Sequence, residues 1–547
     1  MISVMAGVHR SNAARCAALA LLAACSGGGG GSSSSPQPSR APTPAPTVST
    51  APTWEPGTYP ASSTLANRCE RPRTGVDLEG NPFPDRAGSL AYEKFWLRSW
   101  THETYLWANE VPDRNPANYA SPVAYFDTLK TTATTPSGTP KDDFHFSQPT
   151  EDYLRDRNSA PAASYGARLA VIDPYPPREV RVVYTDPGTP AAPVLARGDR
   201  ILSVDGEDLV YGGETEAALD TINDGLFPRA AGETHVFEVQ DTEGRKRSVT
   251  ITSANLSEAP VNTVRVLDRD GGKVGYLLLN TFSPYATEAA LADAVQTLAD
   301  EAVSDLVLDL RYNGGGLLAI ASQLSHMIAG PAYTRGQTFE QLRFNTGVGG
   351  TNPITGGHND PVPFFAEGLG FSYDDGAVLP VLNLRRVYIL TTEATCSASE
   401  AVINGLRGVD FEVELIGSTT CGKPYGFYPE DNCGQTYYTI QFQGVNDKGF
   451  GDYADGFAPT ESFDGFAVSV PGCSVADDYT YPLGDPRERM LAAALQRRET
   501  GACPGLTMAK AAAPAWTRGA VQSGPPLIPR RAPLADERDM RLPGGRL

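Results

Sequence analysis

The sequence predicts a multidomain α/β protein with a small helical N-terminal domain, a β-rich middle domain and an α/β core of βα crossover units. Three observations carry this expectation. The chain has 547 residues, more than one hydrophobic core organises. Its texture changes twice, from aromatic residues at helical spacing, to short β runs with turn signals, to apolar strands alternating with amphipathic helices. Stretches poor in anything to bury mark both ends.

At the start, Arg10 and Arg15 precede a short apolar run over 16–24 that ends in Leu22-Ala23-Ala24-Cys25. A basic region, a short apolar region and small residues at its end predict a secretory signal over 1–24, too short to span a bilayer. Leu-Ala-Ala-Cys resembles the bacterial lipobox, which implies acylation of Cys25 and a membrane anchor. Ser26 beside it implies, by the same resemblance, the outer membrane facing the periplasm rather than the inner membrane. Residues 25–60 are mainly Gly, Ser, Pro and Thr and are expected to be a disordered tether. With Cys25 carrying lipid, Cys69, Cys396, Cys421, Cys433, Cys473 and Cys503 remain. An even number in an oxidising compartment permits three disulfides, with the connectivity open. There is no Cys-x-x-Cys and no cluster of histidines, so structural bridges are expected rather than a metal site. A formal charge of −19 argues against nucleic acid as a partner.

Residues 61–160 form the expected helical domain, with Phe95, Trp96, Trp100, Tyr105, Leu106 and Trp107 packing its core. Residues 164–255 form the β-rich domain. There, 180–184 and 198–206 read as strands, and 235–240 pairs with 247–252 across a turn at 241–245. The core spans 262–503. Residues 274–279, 306–310, 387–391 and 412–416 are strands, Leu291, Val295, Leu298 and Ala302 share one helical face, and 399–407 is helical. Residues 330–380 are Gly-rich and are expected to be a loop insertion near the site. After Cys503 the pattern is lost, which predicts a disordered tail over 504–547.

Three unusual motifs each follow an apolar strand of the core: Asp309-Leu310-Arg311-Tyr312-Asn313-Gly314-Gly315-Gly316, Thr395-Cys396-Ser397-Ala398-Ser399-Glu400 and Gly422-Lys423-Pro424. Sites in open α/β sheets form at the carboxyl ends of strands, so the three are expected to converge. Ser397 opens a helix, where unpaired amides favour developing negative charge. A serine hydroxyl needs a base, and Lys423 supplies one if burial disfavours its ammonium. The glycine run lets backbone amides approach a substrate carbonyl. Taken singly, Ser397 reads as an N-cap, Lys423 as a surface lysine and the glycines as a tight turn. The three in order argue for one active site.

These motifs resemble the C-terminal processing (tail-specific) peptidases, Ser–Lys enzymes with a PDZ domain ahead of the catalytic core, over about residues 90–500. The resemblance implies Ser397 as nucleophile, Lys423 as general base, Glu400 as a supporting carboxylate, and the amides of Gly315 and Ala398 as an oxyanion hole. The β-rich domain, through Pro187-Gly188-Thr189-Pro190-Ala191-Ala192 and Gly198-Asp199-Arg200-Ile201-Leu202, resembles a PDZ domain. That implies peptide C-termini as ligands, captured at Tyr165, Gly166, Ala167, Arg168 and Leu169, although Arg168 departs from the usual loop. Two further departures stand at the lysine. Cys421-Gly422-Lys423-Pro424 replaces Phe-Gly-Lys-Gly, and Phe427 replaces a glutamine four residues on. Cys396 and Cys421 flank the two catalytic positions and are candidates for a bridge between them.

The expected activity is therefore hydrolysis of peptide bonds in cell-envelope proteins by a lipid-anchored serine endopeptidase without a cofactor. A Ser–His–Asp triad is not indicated, because His9, His102, His145, His235, His326 and His358 are scattered and no Gly-x-Ser-x-Gly surrounds Ser397. The alternative is a non-catalytic peptide- or ligand-binding lipoprotein on the same fold.

Overall fold

The computed structural model describes residues 52–158, 161–213, 215–257, 259–345, 350–462 and 465–505, together with the backbone of 538–539. The signal region, Cys25 and most of both the tether and the tail lie outside them. Among the described residues no helix is long and apolar enough to cross a membrane.

The centre of the molecule is a six-stranded sheet: β1 Val261–Leu267, β2 Val274–Leu279, β3 Asp305–Asp309, β4 Arg386–Thr391, β5 Glu412–Gly417 and β6 Gly472–Ser474. The strands lie side by side in chain order. The β1–β2 pair is antiparallel and every other pair is parallel. Every residue of β2 and β3 is buried, as expected of parallel strands covered on both faces. The alternation of side chains splits the apolar residues into two layers. Leu277, Leu308, Ile389 and Leu415 pack beneath the helices α1 Thr287–Asp300, α2 Leu318–Ala329 and α3 Ala398–Gly408. On the other face Tyr276, Leu278, Val307, Leu390 and Ile416 pack against Met490, Leu491 and Ala494 of α4 Arg489–Thr500. Because β3, β4 and β5 are parallel neighbours, the segments leaving their carboxyl ends emerge next to one another.

Residues 330–380, expected as an irregular loop, carry regular structure. Thr338–Phe344 is a strand paired antiparallel with Phe442–Val445, which in turn pairs with Tyr425–Gly426. Phe339 on that strand is fully buried against Gly405 of α3, where a side chain would meet its ring at 2.5 Å. Glycines on either side had masked this short strand. Helix α1 ends at Asp300, and Ala302, expected on its face, lies beyond it with φ +52°.

The aromatic N-terminal segment is built on the helix Leu90–Thr104, capped by Ser89, with Trp96 stacked on Trp100 at 5.2 Å. It is joined to the core in two ways. Its strand Phe146–Pro149 pairs antiparallel with Gln435–Tyr438, and Cys69 is bonded to Cys433. Residues 162–256 form their own sheet around Val182, Ile201, Phe237 and Val239, with the helix Glu216–Leu226 packed on it. The strands Thr234–Gln240 and Lys246–Thr252 pair as a hairpin. Ala162–Ser164 and Ala254–Leu256, at the two ends of this segment, pair antiparallel with each other. Of the tail, Arg538–Asp539 pairs parallel with Gly316–Leu317. The other cysteines among the described residues are bonded as Cys396–Cys421 and Cys473–Cys503.

Candidate active site

The turn after β3 is held by charge. Arg311 is fully buried and donates to both carboxylate oxygens of Glu488 at 2.9 Å, to Asp309 Oδ1 at 3.0 Å and to Asp477 at 2.8 Å. These carboxylates hold its guanidinium well above its ordinary range, against the pull of burial. Asn313, two residues on, organises the glycine turn and ties it to the serine loop. Its side-chain nitrogen donates to Leu279 O at 3.1 Å, and its side-chain oxygen accepts from the Gly315 amide at 2.9 Å. Its backbone carbonyl accepts from the Cys396 amide at 3.2 Å and the Ser399 hydroxyl at 2.9 Å. Gly315 has φ +124°, and a Cβ there would lie 2.8 Å from Ser397 Cβ and 3.0 Å from the Ala398 nitrogen. No other residue fits so close to the serine.

Ser397 follows β4 and immediately precedes α3, with φ +59° and ψ −114°. A non-glycine residue in that region is strained by about 1–3 kcal/mol, and its surroundings must enforce it. They do so through the Ser397 amide, which donates to Glu400 Oε2 at 3.0 Å, and through its carbonyl, which accepts from the Ala401 amide at 2.9 Å. Thr395 anchors the approach by donating to Leu310 O at 2.8 Å. The result is a sharp strand-to-helix turn that carries the serine at its apex.

The segment after β5 closes on the same carboxylate. Glu400 accepts from the Lys423 amide at 2.8 Å, the Gly422 amide at 2.9 Å and the Thr420 hydroxyl at 2.5 Å, besides the Ser397 amide. Burial holds its carboxyl above the usual carboxylate range, although the four bonds pull the other way. Lys423 is 2 % exposed, and its Nζ lies 4.6 Å from the centre of the Phe427 ring and 4.8 Å from that of Phe144. The Cys421 sulfur sits 3.3 Å from Glu400 Oε2. Cys396, Glu400 and Cys421 place three possible ligand atoms within 4.8 Å of one another, but the two sulfurs are bonded to each other and are withdrawn as thiolate donors.

The structure thus gathers Ser397, Ala398, Glu400, Gly315 and Lys423 at the carboxyl ends of three neighbouring strands. Residues 165–169 lie elsewhere, packed on the Phe237 core. Tyr165 donates to Gly225 O at 2.8 Å, the Gly166 amide donates to the Ser164 hydroxyl at 3.0 Å, and Arg168 is exposed. Three contributors escaped the sequence reading. Phe144 reaches Lys423 from the N-terminal segment, and nothing local to it signals that role. Asn313 reads as a turn residue until its four bonds are seen together. Arg197, on the segment 162–256, donates to the Tyr312 hydroxyl at 2.9 Å and to Asp477 at 2.7 Å, reaching the turn that carries Asn313.

Residues 273–426 match the model of peptidase family S41, and residues 93–147 match that of the peptidase S41 N-terminal domain. The carboxyl-terminal-processing protease of Picosynechococcus is 28 % identical over 252 residues, 45 % of this chain and 50 % of that protein. The chloroplastic carboxyl-terminal-processing peptidase 2 of Arabidopsis thaliana is 32 % identical over 149 residues, 26 % of this chain and 27 % of that protein. The chain thus spans half the length, or less, of these two curated relatives. A Bacteroides fragilis crystal structure, itself provisionally assigned to the S41 proteases, superposes with a TM-score of 0.55 at 24 % identity, over 74 % of this chain and 97 % of that one. The likeness in structure is one of fold. Together the matches support a serine-type peptidase. The family they support is S41, that of the C-terminal processing proteases.

Proposed function

We propose that the chain is a serine endopeptidase of cell-envelope proteins in which Ser397 is the nucleophile and Lys423 its general base. The observation that carries this reading is the Glu400 carboxylate, which accepts from the Ser397 amide at 3.0 Å and the Lys423 amide at 2.8 Å and so ties the two loops into one unit. In the reaction the Lys423 amine takes the Ser397 proton as Oγ attacks the substrate carbonyl carbon. The oxyanion is met by the Ala398 amide, at the N-terminus of α3, and by the Gly315 amide once Asn313 yields its bond to it. Lys423 returns the proton to the leaving amine, and water then cleaves the acyl-enzyme.

The β-rich segment 162–256 is proposed to act as a PDZ module that engages substrate C-termini through residues 165–169. Acylation of Cys25 is proposed to anchor the protein in the envelope, a reading supported by Leu22-Ala23-Ala24-Cys25.

The test is hydrolysis of an unfolded protein such as casein by wild type, Ser397→Ala and Lys423→Ala. Both folded variants are expected to lose activity by at least about 10³-fold. Turnover that survives in Ser397→Ala refutes the assignment, and an inert wild type would favour the binding-protein alternative.

A further inference from the structure

Ser397 and Lys423 are each flanked by a cysteine, Cys396 immediately before the serine and Cys421 two residues before the lysine, and these two are bonded. The bridge runs beside the Glu400 bonds that join the same two loops. Resting on the peptidase reading above, we propose that the Cys396–Cys421 disulfide is a positioning pair for the nucleophile and base, and that its reduction by a dithiol reversibly switches the site off.

The argument begins with what lies next to sulfur. The Cys421 sulfur is 3.3 Å from Glu400 Oε2, the oxygen that accepts from both the Ser397 and the Lys423 amides. A disulfide sulfur is neutral and has no proton, so it leaves that oxygen to the two amides. A thiol at the same place donates to Oε2 and competes with them, and a thiolate repels the carboxylate in a buried setting. Either product of reduction therefore acts on the atom that holds the two loops in register. Ser397 sits in a strained backbone conformation, so loosening its amide bond lets the turn relax away from the catalytic shape.

Access and placement fit this role. Cys396 is buried, whereas Cys421 is partly exposed, so an attacking thiolate meets Cys421 Sγ first. Its attack breaks the Sγ–Sγ bond, forms a mixed disulfide on Cys421 and releases Cys396 as thiolate, which takes up a proton. The second thiol of the reductant then closes its own ring and frees Cys421. Two electrons pass from the dithiol to the protein, and the reductant leaves as a cyclic disulfide. The other two bridges serve other joints. Cys69–Cys433 ties the N-terminal segment to the core, and Cys473–Cys503 ties β6 to the stretch after α4.

The experiment uses the full chain with casein as substrate and a graded series of dithiothreitol, with thiol labelling and peptide mapping to report which bridge is open. Activity is expected to fall at least tenfold in step with labelling of Cys396 and Cys421, through kcat with KM within about twofold, and to return on reoxidation. The Cys396→Ser/Cys421→Ser protein is expected to be folded, low in kcat and indifferent to dithiothreitol. Cys473→Ser/Cys503→Ser is expected to keep the wild-type response. Wild-type kcat in the first double variant, or loss of activity that follows another bridge, overturns the proposal. Should that variant fail to fold, partly reduced wild type gives the same correlation within one sample.

Amide hydrogen exchange at Ser397, Gly422 and Lys423 separates this proposal from the peptidase reading, because it needs no turnover. Exchange at these amides is expected to speed up when the bridge opens. Unchanged exchange refutes the positioning role even if the chain proves to have no peptidase activity, and an inert oxidised chain with responsive amides refutes only the activity.

Discussion

Glu400 shows how much one residue settles at this site. Its four donors come from Ser397 on one loop and Thr420, Gly422 and Lys423 on another, and three of them are backbone amides, which cannot accept in return. Glu400→Gln keeps the shape and replaces one acceptor oxygen by an N–H₂ group. At least one buried amide then faces a donor, at a cost of about 1–3 kcal/mol. The variant is expected to stay folded and to lose kcat by about 10²-fold, since small displacements of reacting groups are expensive. Steady-state kinetics on casein with a melting curve checks this, and wild-type kcat would contradict it. By spacing alone Ser397-x-x-Glu400 reads as a helix cap, and a carboxylate supporting the serine was implied only by the family resemblance. That Glu400 also holds the lysine loop was not legible, because its partners there lie on a segment that only the β4–β5 pairing brings near.

Among the elements, α4 and the turn after β3 are fastened by one residue. Glu488 caps α4, accepting from the Leu491 amide at 3.0 Å, and its two oxygens also receive the buried Arg311 guanidinium. The Arg311 environment holds the Glu488 carboxyl below its usual range despite burial. Loss of an ordinary cap costs about 1 kcal/mol. Glu488→Ala also strands a buried cation and is expected to cost about 3–5 kcal/mol in urea unfolding. A loss near 1 kcal/mol would show that Asp309 and Asp477 suffice. The strands of the core were legible because continuous apolar runs leave little choice, and β2 and β3 are such runs. The Arg311–Glu488 pair was not, because it joins residues 177 apart in sequence with no pattern between them. The strand Thr338–Phe344 was missed for a different reason, since its β-forming residues are too few to stand out among glycines.

At the scale of the whole molecule, the N-terminal segment is joined to the core that carries the candidate site, by a strand pair and a disulfide. Cys69–Cys433 closes a loop of 364 residues in sequence. In the chain-entropy account a crosslink of that span destabilises the unfolded ensemble by about 6 kcal/mol. His145 sits at the same junction. It is buried, stacked on Phe126 at 3.8 Å, and its Nε2–H donates to Phe126 O at 2.9 Å. Burial lowers its pKa from 6.5 to about 4. A lowered folded value means that stability holds above about pH 6.5 and is lost as the pH falls through the interval toward 4, by up to about 3 kcal/mol. His145→Gln can keep the donor without the titration and is expected to flatten that part of the profile. Urea midpoints measured from pH 7.5 to 4.5 test it, and parallel profiles for the two proteins would refute the assignment. None of this was legible from a histidine standing alone in sequence, because its neighbours are supplied by the fold.

The pairing of Ala162–Ser164 with Ala254–Leu256 has a mechanical consequence. The β-rich segment leaves the core and rejoins it through two strands zipped at the root, so both of its ends are clasped at one place. The pairing fixes the spacing and register of the two ends of the segment, so both ends are held together where it meets the core. Adding one residue to either strand alone would turn every later side chain of that strand to the opposite face. The second fastening is Arg197, whose bonds to Tyr312 and Asp477 join the segment to the turn that carries Asn313.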